Sequence, residues 1–335
     1  MTINHQVRLA ARPVGMPDAA VWNLTEEPVP DPGEGEVVVK VDYVSIDPAM
    51  RAWINEAASY IPPVKIGGVM RALTAGTVVA SRNPGFAVGD AVCGMQGVQD
   101  YGVSNGADLT KIDLSLAPAE TWLGCLGIAG LTAYFGLLEV GAPKPGETVV
   151  VSGAAGSVGS TVGQIARIKG CRAVGIAGGP EKCRYLTDEL GFEGAVDYKG
   201  EGVAEGLART CADGIDVFFD NVGGETLDHV LARINMGARI VICGAISQYN
   251  NTTPMQGPSN YITLLGRRGR MQGFIYFDYA EKFPAAIADL LGWRAEGRLK
   301  FKDHIVAAGV EAFPDTLVKL FTGANFGKLM LKLPG

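Results

Sequence analysis

The sequence predicts an α/β protein in which a doubly wound parallel sheet is joined to a second, β-rich domain. Three observations carry this. Residues 7 to about 120 read as short strands and turns, the rhythm from about 125 is strand, glycine turn and helix in repetition, and short mixed elements return from about 300. Strands alternating with helical segments specify a parallel sheet with helices on both faces. A chain of 335 residues is expected to form two domains. The expected division is 1–124 with 301–335 for the β-rich domain and 125–300 for the α/β domain.

In the first region Glu36-Val-Val-Val-Lys-Val-Asp42 alternates, Thr74-Ala-Gly-Thr-Val-Val-Ala80 is β-rich, and Asn83-Pro-Gly and Val88-Gly-Asp90 supply turns. A small distorted barrel is expected there. Parallel strands are expected at Thr148–Ser152, Arg172–Ala177, Ile215–Asp220 and Ala238–Cys243, with helices between them. The segments Asp303-His-Ile-Val306 and Gly327-Lys-Leu-Met-Leu-Lys-Leu333 are expected to fold back onto the first module. Thr121 to Leu138 carries no charge over 18 residues, close to the length of a membrane span. Gly124, Gly127, Gly130 and Gly136 interrupt it, so a buried helix between the domains is expected instead.

Hydrophobic residues make up 47% of the chain and charged ones 19%, a globular composition, and a net charge of -6 argues against a nucleic-acid surface. The first residues have no apolar signal-peptide core, which fits a cytoplasmic protein with no membrane partner. Cys93, Cys125, Cys171, Cys183, Cys211 and Cys243 form no C-x-x-C pair, and His5, His229 and His304 are dispersed. Neither a metal site nor a disulfide framework is expected.

The most informative stretch is Gly153-Ala-Ala-Gly156-Ser-Val-Gly159, between the run Thr148-Val-Val-Val151 and the apolar-periodic segment Val162 to Ile168. A glycine turn between a buried strand and a helix presents bare N–H groups and a positive helix end to a diphosphate. A dinucleotide is therefore expected. A site for NAD places an acid ~20 residues beyond the glycines to hold the ribose hydroxyls. Counted from Gly159, that position is Gly179, and Lys182 follows it. A lysine there suits the additional 2′-phosphate of NADP(H).

Several motifs together resemble the zinc-independent medium-chain dehydrogenase/reductases over essentially the whole chain. They are Ser45-Ile-Asp-Pro-Ala-Met-Arg51, Gly130-Leu-Thr-Ala-Tyr-Phe-Gly136, Val151-Ser-Gly-Ala-Ala-Gly156, Asp220-Asn-Val-Gly-Gly224, Cys243-Gly-Ala-Ile-Ser-Gln-Tyr-Asn250 and Asn325-Phe-Gly-Lys328. The branch they resemble holds leukotriene B4 dehydrogenase/prostaglandin reductase, plant double-bond reductases and bacterial curcumin reductases. Ser59-Tyr-Ile-Pro-Pro63 and Val98-Gln-Asp-Tyr101 are most similar to the bacterial group. The resemblance implies a Rossmann nucleotide domain beside a GroES-like barrel, and a homodimer joined through the nucleotide domains.

It also implies the cofactor contacts. Gly153, Gly156, Ser157, Val158 and Gly159 would hold the diphosphate, and Lys182 and Tyr198 the 2′-phosphate. Asn221 and the turn Cys243, Gly244, Ala245, Ile246, Ser247 and Tyr249 would face the nicotinamide half. Phe274, Ile275 and Tyr276 would approach with backbone groups, and Asn325 with its amide. Many relatives carry tyrosine where this chain has Ala49, although curcumin-reductase-like relatives also have alanine. Tyr60 and Tyr249 are then the candidate catalytic residues, with Tyr261 behind them, and a loop anchor packed on Pro62 and Pro63 is the equal alternative for Tyr60.

Ser45 stands in the region where zinc-dependent members of the wider family supply the first cysteine ligand. The chemistry this implies is metal-free conjugate reduction: hydride reaches the β-carbon of an enone or enal while negative charge builds on its carbonyl oxygen. A hydrogen-bond donor aimed at that oxygen is the main catalytic device. The Tyr249 hydroxyl or a cofactor ribose hydroxyl fits that role, and water serves equally as the source of the last proton. An NADPH-dependent quinone oxidoreductase, a non-catalytic NADPH-binding protein and a methyl-transfer enzyme are the alternatives.

Overall fold

The computed structural model describes residues 2–56 and 59–335. The chain forms two compact units, Met1–Gly124 with Asp303–Gly335, and Cys125–Lys302. The first is β-rich. Its strands before the boundary are β1 (Ile3–Leu9), β2 (Trp22–Pro28), β3 (Val37–Ser45), β4 (Thr74–Ser81), β5 (Ala91–Gly94), β6 (Tyr101–Ser104) and β7 (Thr110–Lys111).

The second unit holds β8 (Thr148–Ser152), β9 (Arg172–Ala177), β10 (Gly194–Asp197), β11 (Ile215–Asp220), β12 (Ile234–Ile242) and β13 (Arg270–Gly273). They form one sheet in the order β10-β9-β8-β11-β12-β13, with every pairing parallel. Every residue of β8 is buried, as a strand covered on both faces requires. The chain winds outward from β8 through β9 to β10 and then returns to the other side at β11. The topological switch point therefore lies between β8 and β11, and ligands of such sheets bind at the carboxyl ends of the strands there. The helix Ser157–Ile168 buries Val162, Ile165 and Ala166 on one face.

After the second unit the chain returns as β14 (Asp303–Ala307) and β15 (Lys328–Lys332). The first unit's larger sheet runs β14-β15-β3-β4-β5-β7, with β6 also pairing β3. Met330 of β15 lies opposite Ser45 of β3, so the carboxyl-terminal tail is an integral part of this unit. Two register shifts along the β3–β4 pair bend the sheet. Its core packs Val41, Val44, Ile46, Met50 and Trp53 with Phe313, Leu317 and Leu331.

Two expectations change. Thr121 to Leu138 is not one helix: Ala119–Leu123 ends at Gly124, Ile128–Phe135 follows, and a wider turn, Gly136–Gly141, completes it. A side chain at Gly130 would run into the Cys125 carbonyl, 1.6 Å from its Cβ, so the chain folds back on itself there. No helix among the described residues is long and apolar enough to cross a membrane. The strand expected at Ala238–Cys243 begins at Ile234, which pairs with Ile215, and Cys243 lies beyond its end. The strands β10 and β13 carry too short an apolar pattern to be read locally, and β13 is exposed at all four residues.

Candidate active site

The turn after β8 is built from its glycines. Gly153 has a φ of 61°, which disfavours any other residue, and its carbonyl accepts from the Gly156 N–H at 3.0 Å. A Cβ on Gly159 would lie 2.4 Å from the Gly153 oxygen, so only glycine lets the helix start so close to the turn. Gly156 precedes Ser157, Val158 and Gly159 in the first helical turn, which contains no acidic residue. The first N–H groups of this helix, which have no partner within it, and the positive end of its dipole thus stand at the switch point.

Beside it, β9 ends at Ala177 and the loop Gly178–Gly179 leads to Lys182. Tyr198 follows β10 and lies against Gly178, where a Cβ would come within 2.8 Å of its ring. Asp197 accepts from the main-chain N–H groups of Gly179 (2.7 Å) and Lys199 (3.0 Å), tying the two strand ends together. Burial, then the Lys199 charge, holds the Lys182 ammonium below its usual range, with Glu181 opposing. Lys199 is a cation that reading along the sequence missed. Its only local signal is its place next to Tyr198. Two ammonium groups near a side-chain-free loop fit a 2′-phosphate.

On the other side of the switch point the turns after β11 and β12 are pinned together. Asp220 is buried and accepts from Ser152 Oγ (2.8 Å), Val222 N (2.9 Å) and Gly223 N (3.0 Å), while its Oδ2 meets no donor. Burial pushes its carboxyl upward, opposed by those donors. Asn221 donates through Nδ2 to the Ser152 carbonyl and through its main chain to Ser152 Oγ, both at 2.8 Å. Its amide nitrogen therefore braces β8 against β11. The N–H groups of Cys243 and Gly244 donate to the Asp220 carbonyl, and those of Ile246 and Ser247 to Asn221 and Val222. Burial pushes the Cys243 thiol up to about 12, which makes it a poor nucleophile.

Tyr249 closes this turn. Its hydroxyl accepts from the Ala245 N–H at 3.1 Å and lies over Gly244, where a Cβ would be 2.8 Å away. Phe274, Ile275 and Tyr276 follow β13, and the Phe274 ring meets Phe219 edge-on at 6.2 Å. The candidates from Gly153 to Tyr276 all belong to the second unit.

Tyr60 and Asn325 belong to the first unit. Tyr60 is 49% exposed, and its hydroxyl accepts from Trp53 Nε1 at 3.3 Å. Asn325 Nδ2 donates to the Gly327 carbonyl at 3.3 Å. Tyr261 is exposed. Ser45 is buried, and its hydroxyl, like Asp47 Oδ1, accepts from the Lys328 ammonium at 2.6 Å. Ser45 also bonds Asp47. An ammonium ion seated on Ser45 repels a dication, and no group of three or more metal-ligating side chains occurs among the described residues.

A cradle of helix N-terminal N–H groups at the switch point of a parallel sheet defines a dinucleotide-binding protein. The signatures described as "N-terminal domain of oxidoreductase" and "Zinc-binding dehydrogenase" match residues 5–112 and 157–292. The chain is 43% identical to the NADPH-dependent curcumin reductase of Escherichia coli K12, covering 99% of this chain and 97% of the relative. It is 39% identical to the 2-alkenal reductase (NADP(+)-dependent) of Nicotiana tabacum, covering 97% and 96%. The crystal structure of Vibrio vulnificus CurA in complex with NADPH superposes with a TM-score of 0.93 at 43% identity, covering 99% of each chain. The chain belongs to the medium-chain dehydrogenase/reductase family.

Proposed function

We propose that this protein is an NADPH-dependent reductase of the carbon–carbon double bond in α,β-unsaturated ketones and aldehydes. When bound, NADPH supplies the hydride that reaches the substrate's β-carbon. The residues Gly153, Gly156 and Ser157 to Gly159 hold its diphosphate, and Lys182 with Tyr198 and Lys199 its 2′-phosphate. Asn221, the turn Cys243 to Tyr249, the backbone of Phe274 to Tyr276, and Asn325 serve the nicotinamide half. Tyr249 donates to the carbonyl oxygen as charge develops there, and Tyr60 contributes to substrate affinity.

The observation that carries this reading is the Tyr249 hydroxyl, fixed by the Ala245 N–H on the turn beside the dinucleotide cradle. The names of the curcumin and 2-alkenal reductases support the substrate class. The test is anaerobic NADPH oxidation over enals, open-chain and cyclic enones, diarylheptanoid enones and quinones. Enones and enals should be consumed with the carbonyl retained. A preference for quinones, allylic alcohol products, or cofactor binding without turnover would each overturn the reading.

The exposed edge strand β13 supports a homodimer joined through the nucleotide units. Its four residues are all exposed, and Ile262, Leu265 and Met271 are exposed apolar side chains nearby in sequence. An open edge of this kind is a template for pairing with a second copy. Cys93, Cys171, Cys183, Cys211 and Cys243 are free thiols, which supports the reducing cytoplasm as its compartment.

A further inference from the structure

Gly136 is buried where the helix Ile128–Phe135 passes into the wider turn Gly136–Gly141, and its φ of -60° and ψ of -42° are helical angles that any residue adopts. Glycine is disfavoured against alanine at such a position. Backbone conformation therefore does not explain it, and space does. A Cβ there would lie 2.4 Å from Phe274 Cζ, 2.7 Å from Phe274 Cε1 and 2.6 Å from Phe219 Cε2. The bare Gly136 Cα is the floor of a socket that takes the end of the Phe274 ring.

The other wall of the socket is rigid. Phe219 is fully buried in β11, a strand paired on both sides, with Val151 of β8 and Val241 of β12 opposite it. The Phe274 ring meets it edge-on, with centroids 6.2 Å apart. Phe274 itself is half-buried and follows β13, which lies at the edge of the sheet with all four of its residues exposed. Its ring therefore fastens the outgoing chain to the interior, and the Tyr276 ring, stacked on Phe283 at 5.7 Å with planes 9° apart, fastens it again two residues on. Gly136, Phe219 and Phe274 all belong to the second unit.

We infer that Gly136 is a positioning residue for the reaction: as the socket of the Phe274 ring, it sets where the main chain from Phe274 to Tyr276 stands for the nicotinamide half of the cofactor. The functional part of this inference rests on the reductase reading and its assignment of that main chain; the socket itself does not. A methyl group at position 136 has to displace Phe274, because Phe219 is locked between two strands. Hydride transfer falls steeply when the reacting groups are misplaced by ~1 Å. The diphosphate and the 2′-phosphate are held by other turns, after β8, β9 and β10, and keep their contacts.

The test pairs NADPH with 2′,5′-ADP, which carries the adenosine end with its 2′-phosphate and no nicotinamide. Each affinity is measured by calorimetric titration, alongside steady-state kinetics. Gly136→Ala should lower kcat by about tenfold or more and NADPH affinity by about tenfold, with 2′,5′-ADP affinity unchanged. Adding Phe274→Leu, which removes the Cε and Cζ atoms that the new methyl meets, should recover part of both losses. Phe274→Ala empties the socket without crowding it. It should separate the two ligands in the same way, and it decides the matter where Gly136→Ala does not fold. Equal weakening of NADPH and 2′,5′-ADP marks a general loosening of the nucleotide unit; it overturns the inference and leaves the reductase reading intact. So does Gly136→Ala with unchanged kcat and NADPH affinity, and so does a double variant no better than Gly136→Ala alone. Should the unchanged protein bind NADPH and reduce no enone, the reductase reading falls and the socket is judged by the two titrations. An unchanged protein that holds NADPH no more tightly than 2′,5′-ADP overturns the inference as well.

Discussion

The Tyr249 hydroxyl oxygen lies 3.1 Å from the Ala245 nitrogen and accepts its hydrogen, so the phenol is locked onto the turn that follows β12. The bond fixes the position of the oxygen on that turn. Tyr249→Phe keeps the ring and removes the donor. Turnover should fall by about 10²–10³, the cost of losing one oxyanion donor, with KM for NADPH little changed. A ribose hydroxyl acting on the same oxygen would soften the loss. Steady-state kinetics test this, and deuterium from C4-labelled NADPH should appear at the product's β-carbon.

Lys199 is near enough to Lys182, beside the loop after β9, for its charge to lower the Lys182 pKa. NADPH should be preferred over NADH by at least about tenfold, corresponding to ~1.4 kcal/mol. Lys182→Ala should erode the preference mainly through KM for NADPH, and Lys199→Ala should do so to a lesser degree. Equal use of both cofactors by the unchanged protein would refute the assignment.

The same pair sets a pH dependence. Only the ammonium form of Lys182 attracts the 2′-phosphate, and burial together with Lys199 holds its pKa below the ordinary 10.5. Affinity for NADPH should therefore be full at neutral pH and weaken as pH rises through that lowered value, while affinity for NADH stays flat over the same range. In Lys199→Ala the break should move to higher pH. Fluorescence titrations of both cofactors across alkaline pH measure it.

Within the β-rich unit, Lys328 is the counter-charge of Asp47, with side chains 4% and 12% exposed. Lys328→Met leaves a buried carboxylate with Ser45 as its remaining side-chain partner, and should cost about 3–5 kcal/mol in chemical denaturation. Replacing Asp47 with leucine at the same time should recover much of that loss, because the apolar pair no longer leaves a charge unpaired.

Activity should also be independent of metal. Ser45 is bonded to an ammonium group, so prolonged chelation should change neither rate nor melting temperature, and elemental analysis should find zinc below one per chain. Activity lost on chelation and restored by zinc would contradict this.

The strand Thr148–Ser152, the glycine turn and the helix Ser157–Ile168 were legible because each follows from a pattern only a few residues long: β-branched burial, glycines at a tight turn and an apolar helical face. The position of Lys182, the first cation after the second strand, is local in the same way. What the sequence alone could not place is whatever depends on sheet order. Lys199 joins Lys182 only because β10 lies beside β9, with Asp197 opposite Ala177. Ser152 reaches Asp220 only because β8 lies beside β11, and Lys328 reaches Asp47 only because β15 lies beside β3. Local steric preference and periodicity specify the elements, whereas contacts between residues tens to hundreds of positions apart are created when burial of apolar faces sets one strand next to another.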